Sequence, residues 1–267
     1  MGFVDLNVPV GARVSLAELQ RSGYGVVAVN TEFDGAGKIK EASAVELLAA
    51  TVVVKGGKAA KKAKQYTPSL ENGLQPASAE GKTPVRQVKR ITLKLEDTNS
   101  VQTLTSSAAV KSYDLVALEA ANAKVFQFAC EHADIDLITF DVTNRIPFTI
   151  KRPWIDAAIK RGIYFEITYT PCLGDSAGRR YFFSNASNLV RVTGGRHLVF
   201  SSSATRDILL RSPYDVVNVA LLVGLTYGQG LDAISTSPAG VLTHADKRRG
   251  KTGVILALES EDVDMEG

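Results

Sequence analysis

A chain of 267 residues with 45% hydrophobic and 22% charged residues has enough apolar material for a sizeable core, which excludes wholesale disorder. Its 31 basic and 28 acidic residues leave a net charge of only +3, a figure that taken alone argues against a nucleic-acid partner. Two cysteines exclude a disulfide framework, no run approaches about 18 uninterrupted apolar residues, and the start MGFVDLNVPVGARVSL shows no secretory pattern.

The pattern along the chain is a β-rich apolar run followed by a helical period, repeated. FVDL (3–6) predicts a strand, and RVSLAELQRSG a helix with Val14, Leu16, Ala17 and Leu19 along one face, stopped at Gly23. YGVVAVN (24–30), the alternating RITLKL (90–95) and YDLVALE (113–119) predict the next strands, the last followed by a helix in NAKVFQFACEH. DLITFDV (136–142) leads into WIDAAIKRG, YFEITYT (164–170) into a helix around 179–193, and HLVFSSS (197–203) into PYDVVNVALLVGL. LDAISTS (231–237) is a weaker eighth strand before AGVLTHADKRRG. Strand starts recur every 21 to 34 residues, with one gap of 66. Strand–helix units at this spacing need parallel strands joined by right-handed crossovers. Seven or eight of them predict an α/β fold, a TIM-barrel-like (β/α) barrel. No G-x-G-x-x-G follows the first strand, which disfavours an open dinucleotide-binding sheet.

The long gap holds AVELLAATVVV (44–54), expected to be ordered, then a Lys-, Gly-, Ala- and Pro-rich stretch read over about 55–85 as a flexible basic insertion. Its KGGKAAKKAK (55–64) suits a nuclear-localisation signal, an RNA-binding arm or a solvated linker. Residues 259–267 carry five acids and no Lys or Arg, and read as a disordered tail. Without those five, 31 basic residues face 23 acidic ones, so residues 1–258, read as one barrel domain, carry +8. An acidic tail masks a basic body.

Barrel chemistry belongs to the loops after the strands' C-terminal ends. Asp5, Glu119 and Asp141 fall there and offer an acid/base set, although no spacing singles it out and helix capping explains such residues equally well. His132, His197 and His244 have no metal-ligand spacing, and Cys172 as a nucleophile lacks a histidine partner in the sequence pattern. No catalytic and no metal-binding residue is therefore assigned. The cations are more informative. Arg145, Lys151 and Arg152 flank Phe148 and Trp154; Lys160 and Arg161 end a helix; Arg179 and Arg180 adjoin Tyr181, Phe182 and Phe183; Arg206 and Arg211 follow the seventh strand. Guanidinium and ammonium groups so clustered suit phosphates, with aromatic rings beside them for bases. Those nine form the candidate RNA-binding set, although RRYFF reads equally as a helix edge entering a core, and Lys160 and Arg161 at a helix C-terminus equally complement its dipole. Further cations, Arg191, Arg196, Lys247, Arg248, Arg249 and Lys251, stand outside it.

IDLITFDVTNRIPFTIKRPWIDAAIKRGIYFEITYTP (135–171), RRYFFSNASNLVRVTGGRHLVFSSSA (179–204), LRSPYDVVNVALLVGL (210–225) and AISTSPAGVLTHADKRRGKTGVI (233–255), with FVDLN and GYGVVAVN before them, resemble the thirty-kilodalton protein subunit family of ribonuclease P and ribonuclease MRP. The resemblance covers roughly 1–34 and 90–258. It implies a TIM-barrel-like fold related to histidinol-phosphatase-type metal phosphoesterases. It also implies a non-catalytic subunit of the ribonucleoprotein that removes the 5′ leader of precursor tRNA, shared with the MRP particle of ribosomal-RNA processing. The implied partners are ribonuclease P RNA, ribonuclease MRP RNA, a small ferredoxin-like subunit and, through the complex, precursor tRNA. Catalytic Mg²⁺ is expected on the RNA and no cofactor on the protein, in the nucleus and nucleolus, with no membrane involved. Related phosphoesterases carry His-x-His after strand one, where this chain has Asp5-Leu6-Asn7. The rival readings are a barrel phosphoesterase using carboxylates and Mg²⁺, and a scaffold that binds only proteins.

Overall fold

In the computed structural model, which describes residues 2–50 and 84–251, seven parallel strands run in sequence order around a nearly closed barrel. They are β1 (Phe3–Pro9), β2 (Tyr24–Phe33), β3 (Arg86–Leu95), β4 (Leu115–Ala120), β5 (Leu137–Thr139), β6 (Tyr164–Thr168) and β7 (Leu198–Ser201). The tail 259–267 and all but the last two residues of the 55–85 insertion lie outside the described residues. Of the 44–54 stretch, only residues 44–50 are described, a 3-10 turn Ala42–Ala44 running into irregular chain.

Around the strands lie α1 (Leu16–Ser22), α2 (Thr98–Thr105), α3 (Ala108–Lys111), α4 (Ala123–Glu131), α5 (Arg152–Lys160), α6 (Ser176–Thr193), α7 (Pro213–Leu222), α8 (Tyr227–Asp232) and α9 (Thr236–Arg248). Most start on a polar cap read directly from sequence. The side chains of Ser15, Asp97, Ser107, Asn122, Asp175 and Ser212 each accept from the amide three residues on. Such a cap is worth about 1 kcal/mol. The stop of α1 at Gly23 is a left-handed residue, φ 97°, that only glycine takes without strain.

The eighth strand is the main correction. Thr226 and Gln229 form a capping box that starts α8, and helix runs through most of the predicted LDAISTS segment. Only Ala233, Ile234 and Ser235 remain between α8 and α9. Phe200 N donates to Ala233 O (2.9 Å) and Val4 N to Ile234 O (3.0 Å), so two residues bridge β7 and β1 where an eighth strand would stand. Lower down the chain direction the seam is sewn by loops: Ser203 N donates to Asn7 O (2.8 Å) and Ser202 N to Asp5 Oδ1 (3.0 Å). Strand β5 is also shorter than read, because Phe140 and the residues after it turn away into a long loop.

The outer strand faces pack on the helices through residues such as Ile91, Val116, Phe165 and Phe200 against Leu19, Phe126, Ile155 and Phe182. Inside the barrel, an apolar layer of Val4, Leu6, Ala28, Leu115, Leu137 and Val199 fills the end from which the strands start. Val241 and Ala245 of α9 join this layer and close that end. Asp136, fully buried, holds the closure: Arg248 Nε donates to Asp136 Oδ1 (3.0 Å), Arg248 Nη2 lies 2.9 Å from Asp136 Oδ2, and His244 Nδ1 is 2.9 Å from Asp136 Oδ1. Arg249 pairs with Asp114. Gly240 lets α9 pass over Tyr164, since a Cβ there would sit 2.1 Å from the Tyr164 hydroxyl oxygen.

Candidate functional site

The middle of the barrel is polar. Arg90 and Glu166, with side chains wholly buried, pair bidentately across the lumen at 2.5 and 2.6 Å. Arg90 Nη1 also donates to Leu6 O (2.8 Å) and Nε to Thr92 Oγ1 (3.1 Å). Thr92 then donates to Asn30 Oδ1 (2.8 Å), and Asn30 Nδ2 to Asn7 Oδ1 (3.0 Å). Burial works against the Glu166 charge, but the Arg90 guanidinium outweighs it and holds the carboxyl below its ordinary range.

Above this layer a cavity of about 320 Å³ opens at the strands' C-terminal ends. Of its lining residues Lys94 alone is a cation, against Glu32, Glu119 and Asp141. Lys94 Nζ lies 2.9 Å from Glu32 Oε2 and 3.3 Å from Glu119 Oε2. Burial pushes the Glu119 carboxyl up, with Lys94 opposing, while burial at Lys94 is overcome by the two glutamates, which raise it. Asp141, against its own burial, is lowered by donors from Thr143 and Asn144. The mouth is thus acidic on balance and repels a phosphate. It does not fit a resident metal either: both glutamates are engaged by Lys94, and among the described residues no group of three His, Cys, Asp or Glu side chains is arranged around one point.

Asp5 does not join Glu119 and Asp141 at the mouth. It sits sealed at the β1–β7 seam, Oδ1 accepting from Asn7 N and Ser202 N at 3.0 Å and Oδ2 without a hydrogen-bond partner among the described residues. Burial pushes its carboxyl up to about 6. Cys172 lies in a 3-10 turn after β6, where burial raises its thiol and so disfavours the thiolate a nucleophile needs. His197 opens β7, stacked on Tyr164 at 4.4 Å, and burial lowers its pKa.

The nine cations divide between two ends. Seven stand on loops after the strands or near the starts of the helices that follow. Arg145 is exposed in the loop after β5. Lys151 stands at the N-cap position of α5 without a side-chain capping bond, its Nζ 4.9 Å from the Trp154 ring centroid, and Arg152 begins the helix, 3.2 Å from Asp156. Arg179 and Arg180 lie in the first two turns of α6. Arg179 braces the preceding turn by donating to Cys172 O and Gly174 O (both 3.2 Å), whereas Arg180 is exposed. Arg206 is exposed after β7, and Arg211 donates to Ile208 O (2.9 Å) and Leu210 O (2.7 Å). Lys160 and Arg161 instead end α5 at the opposite, closed end. Arg161 donates to Ala129 O, Cys130 O and Ala133 O at 3.1, 3.1 and 2.5 Å, capping α4.

The sequence reading missed the Arg90–Glu166 pair and Lys94. RITLKL alternates as read, but in a barrel the polar side of a strand can face the lumen. It also missed Arg13, a single arginine after β1 that the structure sets beside Arg206.

The family model described as RNase P subunit p30 matches residues 2–250. The ribonuclease P protein subunit p30 of Mus musculus is 33% identical over 266 residues, covering 96% of this chain and 91% of that protein. A ribonuclease P/MRP protein subunit of Saccharomyces cerevisiae is 31% identical over 144 residues, 54% of this chain and 48% of that protein. Among solved structures, a chain of archaeal ribonuclease P with mature tRNA superposes with a TM-score of 0.62 at 14% identity, covering 98% of this chain and 100% of that one, a likeness that speaks for the fold. With the match running through every described strand and helix, the chain belongs to the ribonuclease P subunit p30 family.

Proposed function

We propose that this chain is a protein subunit of the ribonuclease P ribonucleoprotein, shared with the MRP particle, and that it binds the catalytic RNA without cutting it. The observation that carries the reading is the arc of exposed or half-exposed cations after β5, β6 and β7 (Arg145, Lys151, Arg152, Arg179, Arg180, Arg206 and Arg211), on the same face of the barrel as an acidic mouth. RNA strands repel one another, and cations on a rigid rim neutralise their phosphates and release counterions. The acidic mouth keeps the backbone on the rim. Lys160 and Arg161 at the other end contribute long-range charge at most, since Arg161 is occupied by carbonyls. In this reading Mg²⁺ resides on the RNA, precursor tRNA is met through the complex, a small ferredoxin-like subunit binds beside the RNA, and the particle works in the nucleus and nucleolus. The 1–258 barrel acts as one unit, with the basic insertion and the acidic tail as appendages.

The test is binding of ribonuclease P RNA by the full chain across a salt series. Arg152→Ala and Arg180→Ala should each weaken binding and flatten the salt slope by about 0.7–0.9. Unchanged affinity and slope in both variants would sink the rim assignment. Metal-dependent phosphodiester cleavage by RNA-free protein, abolished by Glu119→Gln, would replace the reading with the phosphoesterase one.

A further inference from the structure

We infer that Arg13 and Arg206 together form a clamp for one phosphate of the bound RNA, at the rim above the β1–β7 seam. This rests on the RNA-binding reading and adds to it a residue, Arg13, and a defined contact point.

The loops after β1 and β7 are zipped together. Arg13 N donates to Thr205 O (2.8 Å), Asp207 N donates to Arg13 O (3.1 Å), and Arg13 and Arg206 form a parallel bridge. Paired residues in a bridge lie roughly 5 Å apart, so the backbone sets two guanidinium-bearing residues side by side. Both are exposed, and among the described residues neither side chain has a hydrogen-bond or ion-pair partner. The nearest acid in sequence, Asp207, is engaged by the backbone, its Oδ1 accepting from Ser15 N at 2.9 Å, and forms no ion pair with either arginine among the described residues. Like charges held together by backbone bonds, with no counter-ion of their own, are relieved by an anion placed between them. A phosphate diester does this with two oxygens facing two planar forks.

One neighbouring feature points to a nucleotide rather than a bare inorganic anion. Val10 and Ile208, on the same two loops, are 42% and 70% exposed, and offer apolar surface to a ribose or base edge. Ser203, in the loop leading to Arg206, holds φ 52°, a conformation unusual for a residue with a side chain, so the loop's path is imposed by the fold. Neither arginine could be paired from sequence, because their adjacency depends on barrel closure.

The experiment is a binding titration of ribonuclease P RNA against the full chain between about 50 and 200 mM salt, with thermal melts as the folding control. Arg13→Gln, Arg206→Gln and the double variant should each weaken binding several-fold. The double variant should lose little more than either single one, since one phosphate bridges both. The salt slope should fall by about 0.7–0.9 in the double variant and be retained by Arg13→Lys/Arg206→Lys, which keeps the charge. If the wild-type chain binds RNA with a steep slope while the double Gln variant is unchanged, or if the two single losses simply add, the clamp is wrong and the RNA-binding reading stands. If the wild-type chain does not bind RNA, the RNA-binding reading itself fails.

Discussion

The two ends of the barrel use charge in opposite ways. At the closed end, Asp136 is fully buried and takes up Arg248 and His244, while Arg161 is consumed by carbonyls. At the open end, Arg145, Arg180 and Arg206 reach solvent and carry little internal duty. A count of cations therefore says little about a binding face. What matters is whether a cation's hydrogen bonds are already made inside the molecule.

Removing a buried partner leaves its counter-charge stranded, and the largest effect belongs to the lumen. Glu166→Ala should destabilise the chain by about 3–5 kcal/mol, because Arg90 stays buried without its carboxylate. The double variant Arg90→Met/Glu166→Leu should recover most of that loss in denaturant titrations. A single variant within about 1 kcal/mol of wild type would mean that water or a rearranged neighbour stabilises the lone guanidinium.

Asp136→Ala tests the closed end directly. Asp136 also accepts from Val116 N at 2.9 Å, so its removal unpairs Arg248 and a strand amide and should cost about 3 kcal/mol. Asp141→Ala at the open end breaks only a local turn with Thr143 and Asn144 and should stay within about 1 kcal/mol. Equal losses at the two sites would erase the contrast between the ends.

The seam between β1 and β7 supplies a pH test. Asp5 is raised to about 6 by burial, so the folded chain holds that proton more tightly than the unfolded one. Its contribution is full below about pH 4 and is lost as pH rises through about 6, a span worth about 3 kcal/mol. Asp5→Asn removes the titration, so its melting temperature should decline less than that of wild type between those pH values. Parallel profiles for the two proteins would show that Asp5 does not ionise in this range.

Much of the fold was legible because each strand carries a β-rich run and most helices carry their own cap and stop. The eighth position was not. LDAISTS reads as a weak strand, but the Thr226–Gln229 capping box acts first and leaves only Ala233 and Ile234 to bridge the sheet. The candidate interface was legible only in part. Clusters such as Lys160–Arg161 and Arg179–Arg180 look alike in sequence, yet a barrel sends helix starts to one end and helix ends to the other. Arg13 lies between apolar neighbours and gains its meaning from a bridge to a residue 193 positions away.

The smallest expected effect concerns the acidic segment that follows the closed end. Deleting 259–267 removes five acids and raises the net charge from +3 to +8. None of the described contacts that hold α9 uses that segment, so the melting temperature should be unchanged. Non-specific RNA binding should strengthen modestly, and the gain should fade with added salt, because exposed charges farther apart than about 8–10 Å are screened at physiological ionic strength. A gain that survives high salt would mean that the segment occludes a surface rather than merely lowering the potential. Weaker binding after deletion would place a direct RNA or partner contact within those nine residues, and the +3 of the whole chain would then understate what its acidic end does.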